Sequence, residues 1–157
     1  MVFLANFAMA ISIVVNVVVV FILLKKSTRN LPDTILVGIY TFLFLLVLGF
    51  YSRLHQIEFI NYVTFIIYDG TGYILGPLLY VYIKSLYSKE EGFVRKEIYH
   101  FIPFFFLLIF LYLPNALSSE ESFLFDYLQI LENDTFAITE TYFQAFYFIG
   151  YCIASWL

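Results

Sequence analysis

The chain contains 157 residues, 62% of them hydrophobic and 13% charged, with a formal net charge of −4 at pH 7 and a mean hydropathy of +0.89. A water-soluble globular domain, with about 45–50% apolar and about 25% charged residues, could not bury this much apolar surface. The acidic balance also argues against direct nucleic-acid binding, which needs clustered Lys and Arg to neutralise phosphates.

The apolar runs predict an all-α fold, a polytopic membrane helix bundle with about five transmembrane helices in one domain over residues 1–157. The first run, Val2 to Leu24, is followed by cations, whereas a cleaved signal peptide begins with them. The second helix is expected to begin just after Pro32 and Asp33, because proline and a carboxylate both suit a first helical turn. The predicted spans cover residues 2–24, 34–51, 66–87, 99–114 and 141–157, with an outer loop over residues 115–140.

The cations predict the orientation of this bundle, since short cytoplasmic loops are enriched in Lys and Arg. Most of them lie at the connections after the first and third predicted spans, whereas Arg53 lies in the opposite connection. The N-terminus is therefore expected outside, in a multi-pass protein of the bacterial inner (cytoplasmic) membrane whose first partner is the lipid bilayer. The cations on the cytoplasmic side are Lys25, Lys26, Arg29, Lys84, Lys89, Arg95 and Lys96.

Asp69 is the polar residue that best fits a functional site inside a span. An ionisable side chain at the centre of a membrane helix costs about 2.5–3.5 kcal/mol on insertion scales, so it is kept where it has a role. With Tyr68 and Tyr73 it forms a candidate signal-sensing group. If the third helix begins at Tyr62, Asp69 lies within the bilayer; if it begins near Gly70, Asp69 lies at the outer mouth of the helix. The sequence leaves both alternatives open.

Three further residues have two interpretations each. Gly76 and Pro77, in mid-helix, predict either a kink that works as a hinge or a point where a neighbouring helix packs closely. His100 is either a group that responds to pH or to a ligand, since imidazole changes its protonation near neutral pH, or an interfacial anchor.

Neither a metal site nor an enzyme is indicated. The two histidines are isolated and Cys152 is the single cysteine, so no metal-ligand spacing and no disulfide is available. Phosphate-binding loops and nucleophile motifs do not occur in the sequence either. We therefore expect no cofactor and no catalytic activity.

Two short motifs resemble a bacterial family. GPLLYVYIKSL (Gly76 to Leu86) and, after a basic loop, YHFIPFFFLL (Tyr99 to Leu108) are similar to the membrane region of multi-span AraC-type helix-turn-helix transcriptional regulators of the Bacteroidetes. The resemblance implies a multi-span helix bundle followed by a cytoplasmic DNA-binding domain with paired helix-turn-helix units. The residues that match are Gly76, Pro77, Leu78, Tyr80, Tyr82, His100, Phe101, Ile102, Pro103 and Phe104.

The leading hypothesis is therefore the sensory or anchoring portion of such a regulator. The last apolar run is still in progress at Leu157, so we expect a longer natural chain, with DNA bound only through a downstream domain. The signal ligand is unknown, and a homodimer is one open arrangement. The alternatives are a small transporter or channel component that uses Asp69 in a polar path, and the sensor region of a membrane histidine kinase.

Overall fold

The structure is a computed structural model that describes residues 2–57, 59–61, 63–64, 70–87, 95–112 and 135–156. These residues are helical almost throughout, so the all-α class is confirmed for the described part of the chain. The helices are α1 (Val2–Lys25), α2 (Leu31–Leu54), α3 (Thr71–Tyr87), α4 (Ile102–Leu107) and α5 (Thr135–Ala154). A 3₁₀ helix, Arg95–Phe101, precedes α4, and a π-helical turn, Leu108–Tyr112, follows it.

The prediction of a polytopic bundle with about five transmembrane helices is wrong. Within the described ranges, two helices are long and apolar enough to cross a membrane, Phe3–Lys25 and Leu31–Leu54. The described parts of the spans expected at 66–87, 99–114 and 141–157 do not meet this requirement. Helix α3 has 17 residues, and α4 has 6 residues between segments of different helical geometry. Polar residues lower the hydropathy of α5. This helix begins at Thr135, inside the predicted outer loop 115–140.

A capping box determines where α2 begins. The side chain of Asn30 accepts a hydrogen bond from the Asp33 N–H at 3.2 Å, and the Asp33 carboxylate accepts one from the Asn30 N–H at 3.3 Å. Lys26 adds an ion pair to the same carboxylate at 2.6 Å. These contacts satisfy backbone donors that have no partner inside the helix. The helix therefore begins at Leu31, three residues before the predicted span 34–51.

Helices α1 and α2 form an antiparallel hairpin. The side chains of Asn6, near the start of α1, and His55, just after α2, lie 3.1 Å apart, so these two ends are adjacent. The buried residue of α1 is Asn16, which donates to the Ser12 carbonyl at 2.7 Å and so satisfies its amide within its own helix. Most of the large apolar side chains of α1 are exposed, including Phe3 at 83%.

Helix α3 lies between α2 and α5. Its second half packs through Val81 on Ile35 and Ile39, in the first half of α2, and these three buried residues form the core. The two helices are therefore antiparallel, and the last turn of α3, which carries Lys84, lies at the same end of the molecule as the α1–α2 turn. On its other side α3 packs along α5, and the 3₁₀–α4 segment also contacts α3.

Glycines allow α3 and α5 to approach closely. The Gly72 N–H, in the first turn of α3, donates to the side-chain oxygen of Gln144 at 3.0 Å. A Cβ at Gly72 would lie 2.7 Å from the Gln144 Cβ, and one at Gly76 would lie 3.3 Å from Phe148 and Tyr151 atoms. Spaced four residues apart, Gly72 and Gly76 lie on one face of α3. A larger residue at Gly72 would force the helices apart.

Candidate functional site

The predicted sensing group is only partly described. Tyr68 and Asp69 lie outside the described residues, so their grouping with Tyr73 stays a prediction. Tyr73 is buried in α3 with 6% of its surface exposed. Its ring contacts that of Tyr147 in α5, with centroids 5.4 Å apart. Tyr73 is therefore part of the interface between α3 and α5.

The two motifs that carry the family resemblance meet at this interface. Tyr80, from the first motif, and His100, from the second, have ring centroids 5.3 Å apart and nearly perpendicular planes. The ring of Tyr151, from α5, lies 5.7 Å from the Tyr80 ring and 5.4 Å from the His100 ring. Edge-to-face contacts of this kind are favourable because the positive edge of one ring meets the negative face of another.

The other motif residues support the interface or lie beside it. Gly76 and Pro77 are buried on α3, where Gly76 faces α5. Tyr82 is partly buried and packs against the core between α2 and α3. Phe101 and Pro103 are partly buried in the segment around the start of α4. Of the motif residues, Tyr80 and His100 therefore combine hydrogen-bonding groups with the α5 contact.

His100 is held through both its ring and its backbone. Its Nδ1 lies 2.7 Å from the Tyr151 hydroxyl oxygen. The Tyr147 hydroxyl donates to the backbone carbonyl of His100 at 2.6 Å, while its distance to the Tyr151 hydroxyl oxygen is longer, at 3.4 Å. Because Tyr147 and Tyr151 are one helical turn apart on α5, both hydroxyls reach the same histidine.

Behind the histidine lies a buried carboxylate. Glu97 has 4% of its surface exposed, and its Oε1 accepts a hydrogen bond from Lys84 Nζ at 2.6 Å. Its Oε2 lies 3.4 Å from His100 Nε2 and accepts no hydrogen bond from any residue that the structure describes. A buried carboxylate needs a neighbouring cation to offset its desolvation, and Lys84 provides one. The half-exposed Lys84 side chain, at 47%, connects the pair to solvent.

Local geometry explains why these groups converge. A 3₁₀ helix has three residues per turn, so Glu97 and His100 lie one above the other on the same face. Lys84 occupies the last turn of α3, where a cation also complements the free carbonyl groups of the helix end. The result is a chain of side chains, Lys84–Glu97–His100–Tyr151, that links α3, the 3₁₀ helix and α5.

An open groove runs beside this chain of side chains. It has a volume of about 500 Å³, which is within the range of small-molecule pockets. Aromatic rings and the imidazole form its walls, and small residues of α5 leave the space open. The lining residues are Tyr80, His100, Phe146, Tyr147, Gly150, Tyr151 and Ala154. Across the described ranges, no group of three His, Cys, Asp or Glu residues is placed to hold a metal ion.

Four polar members of this site were not predicted from the sequence: Lys84, Glu97, Tyr147 and Tyr151. The sequence pattern presents Lys84 only as one of the cytoplasmic cations and places Glu97 in the basic loop between the two motifs. The i, i+3 spacing of Glu97 and His100 and the i, i+4 spacing of the two tyrosines are the signals that could have found them. Comparison of the chain with protein-family models, curated proteins and solved structures found no match.

Proposed function

We propose that this chain is the sensory or anchoring portion of a bacterial AraC-type transcriptional regulator, whose DNA-binding half is not among these 157 residues. The proposed role is non-enzymatic: the α1–α2 hairpin anchors the protein in the inner (cytoplasmic) membrane, and the groove between α3 and α5 receives a signal molecule. The observation that carries this proposal is the meeting of Tyr80 and His100, one from each family motif, at a groove backed by the buried Glu97.

A sensor must convert binding into a change between structural elements. His100 contacts α3 through the Tyr80 ring and α5 through Tyr147 and Tyr151, and it lies beside Glu97 in its own segment. A molecule in the groove would touch α3, α5 and the histidine at once. It can therefore favour one relative position of these elements over another, which is how a ligand shifts a conformational equilibrium.

The hairpin supports membrane anchoring through its surface and its charges. Along α1, exposed side chains such as Phe3, Phe7 and Val14 would be covered by lipid tails. Lys25, at the end of α1, and the cations that follow it lie at the turn between the helices. Because cations concentrate on the cytoplasmic side of membranes, this turn is assigned to the cytoplasm.

The regulatory role can be tested on the chromosomal gene with an epitope tag on its product. Chromatin immunoprecipitation should enrich specific promoter DNA, and His100→Ala should change transcription of the genes beside it. Tyr99→Phe is the matched control, because the neighbouring Tyr99 is 68% exposed and outside the groove. Enrichment of no promoter, with transcripts unchanged in His100→Ala, would overturn the proposal.

A further inference from the structure

The hydrogen-bond donors and acceptors around His100 can be assigned from its neighbours. Its Nε2 lies 3.4 Å from the Glu97 carboxylate, which favours a proton on this nitrogen, because a lone pair there would be repelled by the negative charge. In the neutral ring, Nδ1 is then the acceptor. Since Nδ1 lies 2.7 Å from the Tyr151 hydroxyl, Tyr151 uses its one proton to donate to the histidine.

The hydroxyl proton of Tyr147 is also donated within the protein. A hydroxyl has one proton to donate, and the Tyr147 hydroxyl is 2.6 Å from the His100 carbonyl oxygen against 3.4 Å from Tyr151. The shorter contact therefore takes the proton. The two tyrosine hydroxyls that contact His100, those of Tyr147 and Tyr151, therefore donate their protons within the protein and offer lone pairs to a ligand.

The rest of the groove surface also favours positive charge. The rings of Tyr80, Phe146, Tyr147 and Tyr151 line it, and aromatic faces attract cations through their negative quadrupole. Behind the histidine, the Glu97 carboxylate is held by Lys84 on one oxygen, and its other oxygen accepts no hydrogen bond from the described residues. Beside Tyr147 and Tyr151 an anionic ligand would meet lone pairs and π faces, whereas a cation would meet acceptors there.

We propose that the groove between α3 and α5 binds a small organic ammonium ion, whose N–H groups donate to the hydroxyl oxygens of Tyr147 and Tyr151 while its apolar body lies against Phe146 and Tyr80. A volume of about 500 Å³ accommodates a molecule with one aromatic or aliphatic arm of moderate length. The inference rests on the proposed sensory function for its biological meaning, since the ammonium ion is then the signal.

Binding can be measured on the intact protein in nonionic detergent at pH 7, with empty micelles as the blank. The probes are 2-phenylethylamine, its neutral analogue 2-phenylethanol and the anion 3-phenylpropionate, all of similar size. We expect the ammonium ion to bind at least about tenfold more tightly than either analogue, because only it provides charge and donors together. Equal or tighter binding of the alcohol or the carboxylate, or no binding of the amine, contradicts the proposal.

Variants then locate the site. Tyr151→Phe and Tyr147→Phe each keep the ring and remove one acceptor, and each should weaken amine binding by about three- to tenfold with less effect on the alcohol. Tyr142→Phe, on the exposed side of α5, is the control and should bind as the original protein does. Unchanged affinity in both groove variants, or an equal loss in Tyr142→Phe, also overturns the site. The probe series on the unaltered protein is decisive even if a variant does not fold.

The two proposals fail separately. Amine binding with no promoter occupied by the tagged protein contradicts the regulatory function and leaves the ammonium site intact. Promoter occupancy without amine binding contradicts the ammonium site and leaves the regulatory function intact.

Discussion

The α1–α2 hairpin and the α3–α5 pair are two helix pairs built on different physical principles. The hairpin joins two long apolar helices through a short turn, and some of its polar groups are satisfied within one helix, as Asn16 is by the Ser12 carbonyl. The α3–α5 pair joins helices that are far apart in the sequence, through a glycine contact and a network of tyrosine, histidine and glutamate side chains. Under the proposed function, anchoring would depend on the hairpin and ligand recognition on the α3–α5 pair.

This difference has a functional consequence. A surface made of interchangeable apolar side chains tolerates substitution, because lipid or neighbouring residues adapt to each change. The α3–α5 interface depends on particular atoms at particular distances, including a carboxylate that is almost fully buried. Single substitutions should therefore affect the second pair more than the first, and the following measurements test that contrast.

The largest effect is expected at Gly72. In Gly72→Ala the new Cβ would lie 2.7 Å from the Gln144 Cβ, so the helices must separate and the N–H bond to Gln144 is lost. Overpacking of this kind costs about 1–3 kcal/mol of unfolding free energy. Gly38→Ala is the control, because nothing lies within 4 Å of its Cβ position. Unfolding in SDS followed by circular dichroism measures both; equal stability of the two variants would contradict the close helix contact.

Glu97→Gln should have the next largest effect. The amide keeps the size of the side chain but removes the negative charge that Lys84 and His100 face. Because Lys84 is half exposed and water can solvate it, we expect a moderate loss of about 1–2 kcal/mol. The exposed Lys96, next to it in the 3₁₀ helix, provides the control Lys96→Gln, which should leave the unfolding curve in place. A Glu97→Gln protein as stable as the original would mean that the carboxylate charge is unimportant for the fold.

Tyr147→Phe isolates one hydrogen bond of the network. The ring contact with Tyr73 stays, while the donor to the His100 carbonyl at 2.6 Å is lost. A hydrogen bond of this type contributes about 0.5–1.5 kcal/mol, so a loss near the middle of that range is expected from the same SDS titration. Tyr142→Phe removes an exposed hydroxyl from the same helix and should be neutral. A matching loss in that control would assign the effect to α5 as a whole.

The smallest effect should come from the turn of the hairpin. Asn30→Ala removes the acceptor for the Asp33 N–H and should destabilise the start of α2 by about 0.5–1 kcal/mol. Lys26→Ala removes only an exposed ion pair and should cause no measurable change. If either variant destabilised the protein more than Gly72→Ala, the contrast between the two helix pairs would be reversed.

The hairpin is the part of the fold that could be predicted from the sequence. Its helices are long apolar runs, and the residues that begin α2 are neighbours along the chain, with Pro32 and Asp33 both in the first turn. The predicted number of spans was wrong because α3 and α5 are apolar enough to resemble membrane helices. Helix α3 is too short, and α5 is too polar, to qualify as a candidate span. A local sequence pattern shows that a segment is apolar, but it does not indicate whether the segment faces lipid or another helix.

The candidate site required tertiary information. His100 and Tyr151 are 51 positions apart, and no periodicity within either segment indicates that their side chains meet. The two motifs of the predicted family resemblance contain Tyr80 and His100 but do not indicate that their rings are in contact. Glu97 could not be predicted as a site residue, because the burial that makes this carboxylate unusual is not apparent in a polar stretch of sequence. Tyr68 and Asp69 stay predictions.

The short turn after Lys25 has a consequence for the order of assembly. Lys26 and Asp33, seven positions apart, can meet as soon as both exist, whereas Gly72 must find Gln144 across 72 positions. Closing the longer loop costs roughly 2 kcal/mol more chain entropy. The hairpin is thus expected to fold while the rest of the chain is still being synthesised, and the groove to form last, when α5 packs against α3.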